Sequence, residues 1–206
     1  IKKLLKDNII GEVLHVDYQY MLDTRHGADY FRRWHRNIDN SGSLLIHKST
    51  HHFDIINWFL EDTPSEAAAF GTRRFYGNTR EQRGERCLTC SYKNSCEFYF
   101  NIAESELDKM LYLNTESGDG YIRDACVFSD KINIYDTMAV NVKYKKGTTL
   151  LYSLVTYSPY EGWNLSVTGT KGRLEAKEFY SGHRADDKFN IIDVYDLDGN
   201  VKCYNI

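Results

Sequence analysis

His47-Lys48-Ser49-Thr50-His51-His52-Phe53-Asp54 places three histidines, a lysine and an aspartate within eight residues, and the apolar run Ile55-Ile56-Asn57-Trp58-Phe59-Leu60 follows at once. On a helix each residue turns about 100° around the axis. His47, His51, Asp54 and Trp58 then share one stripe with Lys48 at its edge, while Leu45, Phe53, Ile56 and Leu60 face the opposite way. One side suits a core. The other carries groups that exchange protons near neutral pH.

Working outward, Ile1 to Asp7 reads as the last turns of a helix and Ile10 to Met21 as a strand. Residues 26–34 predict a short helix ending in Phe31-Arg32-Arg33-Trp34-His35-Arg36. Asp39-Asn40-Ser41-Gly42-Ser43 is a turn and an N-cap region for one long helix at about 44–60, which Glu61-Asp62-Thr63-Pro64 stops. Ser65 to Tyr76 reads as another strand. Residues 77–130 are irregular, with a short helix near 103–112 and a loop at Glu116-Ser117-Gly118-Asp119-Gly120.

From residue 132 onward the pattern is nearly all strand. Met138 to Tyr144 and Thr148 to Tyr157 flank Lys145-Lys146-Gly147, a hairpin signal. Trp163 to Thr168 and Arg173 to Tyr180 flank Gly169-Thr170-Lys171-Gly172, and Phe189 to Leu197 and Val201 to Ile206 flank Asp198-Gly199-Asn200. Meandering strands with few helices predict an α+β fold: a large, mostly antiparallel open β-sheet with helices on one face. The tyrosines of 144–160 suit sheet packing better than a binding stripe.

Composition bounds the function. The chain has 206 residues and 29 aromatic side chains (16 Tyr, 10 Phe, 3 Trp), enough for a real core. A net charge of −3 gives no general reason to bind nucleic acid or an anionic membrane. No apolar stretch reaches the roughly 20 residues of a membrane span. The first residue is not a methionine and the last ones resemble mid-strand sequence, which suggests a piece of a longer protein. Neither G-x-G-x-x-G nor G-x-x-x-x-G-K-[ST] occurs, so a nucleotide's phosphates would be held outside this chain.

Cys87-Leu88-Thr89-Cys90 followed by Cys96 has spacing that can grip zinc, with Cys126 or a histidine as a fourth ligand. Reduced buried thiols or a disulfide are the alternatives. Five cysteines, an odd number, suit a reducing compartment and so the cytoplasm, with export still open. His47 and His51, four apart, could also form a metal pair, but no H-E-x-x-H is present.

The segment Ser41-Gly42-Ser43-Leu44-Leu45-Ile46-His47-Lys48-Ser49-Thr50-His51-His52-Phe53-Asp54 resembles the active helix of the Gfo/Idh/MocA oxidoreductases. Ile9-Ile10-Gly11-Glu12-Val13 resembles the strand after that family's domain junction. Asp136-Thr137-Met138, Tyr157-Ser158-Pro159-Tyr160-Glu161-Gly162 and Gly169-Thr170-Lys171-Gly172-Arg173-Leu174-Glu175 resemble later strands and turns of one bacterial branch.

The resemblance covers nearly the whole chain. It implies that residues 1–206 form a single substrate-binding and dimerisation domain, like the C-terminal domain of glyceraldehyde-3-phosphate dehydrogenase. It places the N-terminal dinucleotide-binding domain outside this chain. It also implies NAD or NADP as cofactor, a sugar or cyclitol as substrate, and a homo-oligomer joined through the exposed sheet face.

At matched positions the resemblance implies that His51 is the acid–base group, that Lys48 is its electrostatic partner, and that His47 stands where the family more often has an acid. Removing a hydride from a secondary alcohol requires a base for the hydroxyl proton, and a lysine cation can steady the oxygen. Arg33 and His35 suit sugar or anion contacts, though the run also reads as a solvated basic turn. Asp54 either joins the site or merely caps or pairs. Arg123 either approaches the site or forms a surface ion pair. The rival functions are a non-catalytic sugar- or protein-binding module, and NAD-dependent glycoside hydrolysis without net redox change.

Overall fold

The computed structural model describes residues 1–185 and 191–205. A short helix α1 (Lys2–Lys6) leads into strand β1 (Val13–Asp23). Four helices follow: α2 (Thr24–Arg32), α3 (Ile38–Ser41), α4 (Leu44–His47) and α5 (Thr50–Leu60), with a single 3-10 turn at Trp34–Arg36. Strand β2 (Pro64–Thr72) precedes an irregular stretch holding α6 (Glu106–Asp108), a wide turn at Lys109–Leu113 and α7 (Glu116–Asp119). The last strands are β3 (Thr137–Tyr144), β4 (Thr149–Ser158), β5 (Gly162–Gly169), β6 (Gly172–Phe179), β7 (Ile191–Asp196) and β8 (Val201–Asn205).

All eight strands join one sheet in the order β2-β3-β4-β1-β5-β6-β7-β8. Every pairing is antiparallel except β1 with β4. Alternation decides the faces. Val16, Tyr18, Tyr20 and Leu22 of β1 lie level with Leu150, Tyr152 and Leu154 of β4 and with Met138, Val140 and Val142 of β3, and all are buried. The helices cover this face. On the other face Phe70 is 75% and Leu151 43% exposed, and Gln19, Asn141, Glu175 and Lys177 also face outward. The expected α+β sheet with helices on one face is therefore present.

Helix α2 packs on β4 at close range, which only a glycine allows: a Cβ on Gly27 would lie 1.7 Å from the Thr156 carbonyl oxygen. The three predicted hairpins form. Residues 189, 190 and 206, expected to be strand, lie outside the described residues.

Several boundaries shift by a few residues (β1 begins at Val13 rather than Ile10, and α2 spans Thr24–Arg32 rather than 26–34), and three differences have a structural cause or consequence. The strand expected to reach Tyr76 ends at Thr72, because the buried Asp136 carboxylate takes the N–H groups of Arg74, Phe75 and Tyr76 at 2.9, 2.7 and 3.1 Å. The loop at 116–120 contains the turn of helix α7. The long helix expected at 44–60 is two helices. Lys48 N and Ser49 N both donate to Leu44 O at 2.9 Å, a widened turn, and the Ser49 hydroxyl donates to the same oxygen at 3.2 Å.

Candidate functional site

Strands β4 and β5 lie on either side of β1, so the link between them, Pro159-Tyr160-Glu161, crosses the end of β1 where α2 begins. Ser158 is level with Asp23 and Gly162 with Met21. The crossover carries the buried Glu161 carboxylate onto His26, whose Nδ1 lies 3.0 and 2.9 Å from its two oxygens. The Tyr20 hydroxyl donates to it at 3.5 Å.

The widened turn at Lys48-Ser49 fastens helices α4 and α5 to the sheet. The Tyr152 hydroxyl donates to Ser49 Oγ at 2.8 Å and sits 2.8 Å from His52 Nδ1. His52 stacks on Tyr20 with ring centroids 4.4 Å apart, and the Lys48 ammonium lies 4.9 Å over the same Tyr20 ring. Burial lowers the Lys48 pKa, and Glu161 works against that fall. Burial, then Lys48 and His51, hold the His52 pKa down at about 4, so His52 is a neutral packing group.

His47 is half-buried against aromatic rings: His35 at 4.3 Å, Trp34 at 5.3 Å and Tyr30 at 6.0 Å between centroids. Burial, then His51, Lys48 and Arg33, lower its pKa. His35 is held at about 4 by burial, then by His47 and Arg33. Both rings are therefore neutral at pH 7.

Helix α2 presents His26, Asp29, Tyr30 and Arg33 on the side away from Gly27, Ala28 and Phe31. Asp29 pairs with Arg123 at 2.9 Å and with Arg33 at 3.6 Å. Residues 31–36 are not a solvated basic turn, since Arg32 and His35 are buried. Arg32 donates to the Phe98 carbonyl at 2.8 Å and to Cys87 Sγ at 2.9 Å.

Of the residues expected in the site, His47, Lys48, His35, Arg33 and Arg123 form a connected group. His51 is exposed beside His47 and His52. Asp54 is one turn further along the exposed face of α5 and makes no contact with this group.

The cysteine reading is corrected. Cys87, Cys90, Cys96 and Cys126 are free thiols, and the described residues include no group of three or more His, Cys, Asp or Glu able to hold a metal ion. Guanidinium groups lie against two of these thiols: Arg32 against Cys87 and Arg80 against Cys96, each at 2.9 Å. Burial also pushes the Cys87 thiol up. The proposed His47–His51 metal pair likewise lacks a third ligand among the described residues.

Sequence reasoning missed Glu161, His26, Tyr20, Tyr30 and Asp29. The i,i+4 spacing of Asp29 and Arg33 was a usable signal for that ion pair. Nothing local marks Glu161, because its partners depend on the strand order.

Comparison with known proteins agrees with this architecture. Residues 2–191 match the model of "Oxidoreductase family, C-terminal alpha/beta domain", the Gfo/Idh/MocA class. The YteT protein of Bacillus subtilis (strain 168), named provisionally as an oxidoreductase, is 40% identical over 212 residues. That match takes in 96% of this chain and 50% of YteT, so the chain spans about half the length of this curated relative. Among solved structures, an oxidoreductase domain protein from Kribbella flavida superposes with a TM-score of 0.60 at 17% identity, over 100% of this chain and 43% of that one. An NAD binding oxidoreductase from Klebsiella pneumoniae gives 0.60 at 14% identity, over 99% and 42%. The apo form of a levoglucosan dehydrogenase gives 0.61 at 13% identity, over 100% and 44%. These structural likenesses concern the fold alone.

Proposed function

The chain belongs to the Gfo/Idh/MocA oxidoreductase family, as its C-terminal α/β domain, and from that premise we propose that it is the substrate-binding and catalytic-helix domain of an NAD(P)-dependent oxidoreductase acting on a sugar, cyclitol or glycoside hydroxyl. The observation that carries the proposal is the Lys48–Tyr20–Glu161–His26 arrangement beside the exposed His51. It is a polar, aromatic-lined face with one reactive imidazole open to a ligand.

This face fits the reacting end of a nicotinamide dinucleotide and not its phosphates, since the chain has no glycine-rich phosphate loop. When bound, that cofactor supplies the hydride acceptor or donor. His51 takes the substrate's hydroxyl proton as the C–H hydrogen leaves with its electron pair, or returns it in the reverse direction. Lys48, kept beside Glu161, offers a positive charge to the oxygen as its own charge grows. His47, neutral, gives a hydrogen bond to the substrate or to a water.

The rest of the proposal is coarser. A separate dinucleotide-binding domain would hold NAD or NADP. The open sheet face, with Phe70 and Leu151 exposed, suits contact with a second copy of the chain. Free cysteines suit a reducing compartment such as the cytoplasm. No helix among the described residues is long and apolar enough to cross a membrane.

The test is a nicotinamide absorbance screen of the full-length protein with NAD and NADP against sugars, cyclitols and glycosides, paired with His51→Ala. We expect reduction with at least one substrate and a loss of about 10²- to 10⁴-fold in the variant. Glycoside cleavage without net reduction would favour the redox-neutral hydrolase. Sugar binding with no turnover of any kind would favour the non-catalytic module.

A further inference from the structure

We propose that Arg33 and Arg123, with Tyr121 and His35, form a binding site for the carboxylate of an acidic sugar. The proposal rests on the sugar-hydroxyl reading above and narrows its substrate class. Four buried side-chain atoms among the described residues have no hydrogen-bond partner: Arg33 Nε, Arg123 Nη1, the Tyr121 hydroxyl and His35 Nδ1. They belong to one neighbourhood. Arg33 and Arg123 both reach Asp29, at 3.6 and 2.9 Å. The Tyr121 hydroxyl sits against the Arg33 guanidinium without a well-formed hydrogen bond to it. His35 lies within electrostatic reach of both arginines.

Buried polar atoms normally find partners, and leaving several unmet is costly. Here the unmet atoms are mostly donors, and they surround a charge imbalance. Asp29 is one carboxylate shared by two guanidinium groups, which leaves one positive charge in excess at a half-buried place. A monoanion corrects that balance. The two oxygens of a carboxylate can accept from a guanidinium edge and a phenol together. A phosphate dianion exceeds the single surplus charge, so the assignment is to a carboxylate.

The site adjoins the reactive helix through His47, which contacts His35 and feels Arg33. A sugar ring whose hydroxyl meets His51 could therefore extend its carboxylate toward Arg33 and Arg123. The identity of residue 47 fits this. A carboxylate at that position would compete for Arg33, whereas a neutral imidazole leaves the guanidinium to the ligand.

Calorimetric titration of the full-length protein reads this site without cofactor turnover. The probes are D-glucuronate, D-galacturonate, D-glucose, D-galactose and glucose 6-phosphate. We expect the uronates to bind about tenfold tighter than the neutral sugars. Arg33→Gln and Arg123→Gln should remove the preference and leave neutral-sugar binding in place. Arg123 also anchors Asp29, so Tyr121→Phe, which breaks no ion pair, is the control against misfolding. It should weaken uronate binding about threefold without affecting neutral sugars. Equal affinity for acidic and neutral sugars, a preference that survives both arginine variants, tighter binding of the phosphate, or binding of none of the probes would each overturn the proposal. Uronate preference without nicotinamide reduction would uphold this site while removing the oxidoreductase reading.

Discussion

Strands β1 and β4 meet through Val16, Tyr18 and Tyr20 against Leu150, Tyr152 and Leu154, whereas residues 73–136 add to apolar anchors such as Tyr76, Phe128 and Ile134 two wholly buried carboxylates, Asp124 and Asp136. In the sheet, stability is spread over many apolar contacts of similar size. In the irregular segment it is concentrated. Asp136 takes three backbone N–H groups and the Thr137 hydroxyl. Asp124 holds Leu88 N at 2.8 Å and Arg86 at 2.5 Å, and Arg86 also binds Glu116 at 2.8 and 2.6 Å. A segment without a regular ladder must still satisfy its backbone, and buried carboxylates do so at few points. The same segment brings Arg123 to Asp29 and Tyr121 to Arg33.

This contrast can be tested by substitution. Asp136→Ala strands three N–H groups, the one of Tyr76 buried, and should cost on the order of 4 kcal/mol. Urea unfolding of the full-length protein measures it, and a loss below about 1 kcal/mol would show that the segment does not depend on this carboxylate. Leu154→Ala, in the middle of the buried sheet face, should cost less, about 3 kcal/mol, because the neighbouring strands share the load. If the sheet variant proves the more damaging, the distinction between spread and concentrated stability is wrong.

The smallest effect belongs to the site. His35 and His52 titrate at about 4 in the fold and near 6.5 when unfolded. Between those values only the unfolded chain takes up the proton. Their contribution is therefore fully present above pH 6.5 and is lost as the pH falls toward 4. Unfolding measured from pH 7 to 4 should show this slope, and His52→Gln should roughly halve it. A slope unchanged in that variant would mean that other groups carry the acid sensitivity.

The strands and hairpins were legible because alternation and turn residues are local signals: Lys145-Lys146-Gly147 joins β3 to β4 as expected. The amphipathic face of α5 was legible in the same way, with Ile56 buried and His51, Asp54 and Trp58 outside. The break at Lys48-Ser49 was not. It depends on Tyr152 donating to Ser49 from a strand 103 positions away in the chain. The cysteine spacing suggested a ligand set, but Arg32 and Arg80, brought in from other parts of the chain, make it a guanidinium–thiol cluster.

By itself, the sequence determined the strands of the sheet, their hairpins and the crowding of His47, Lys48 and His51 into one short stretch, because each follows from residues close together in the chain. Tertiary structure alone decided that β1 lies between β4 and β5. That placement sends the link between those strands across the end of β1 and sets Glu161 against His26 and Tyr20. The physical reason is that strand order follows from how buried faces and backbone hydrogen bonds are satisfied together across the whole sheet, which no single stretch of sequence encodes.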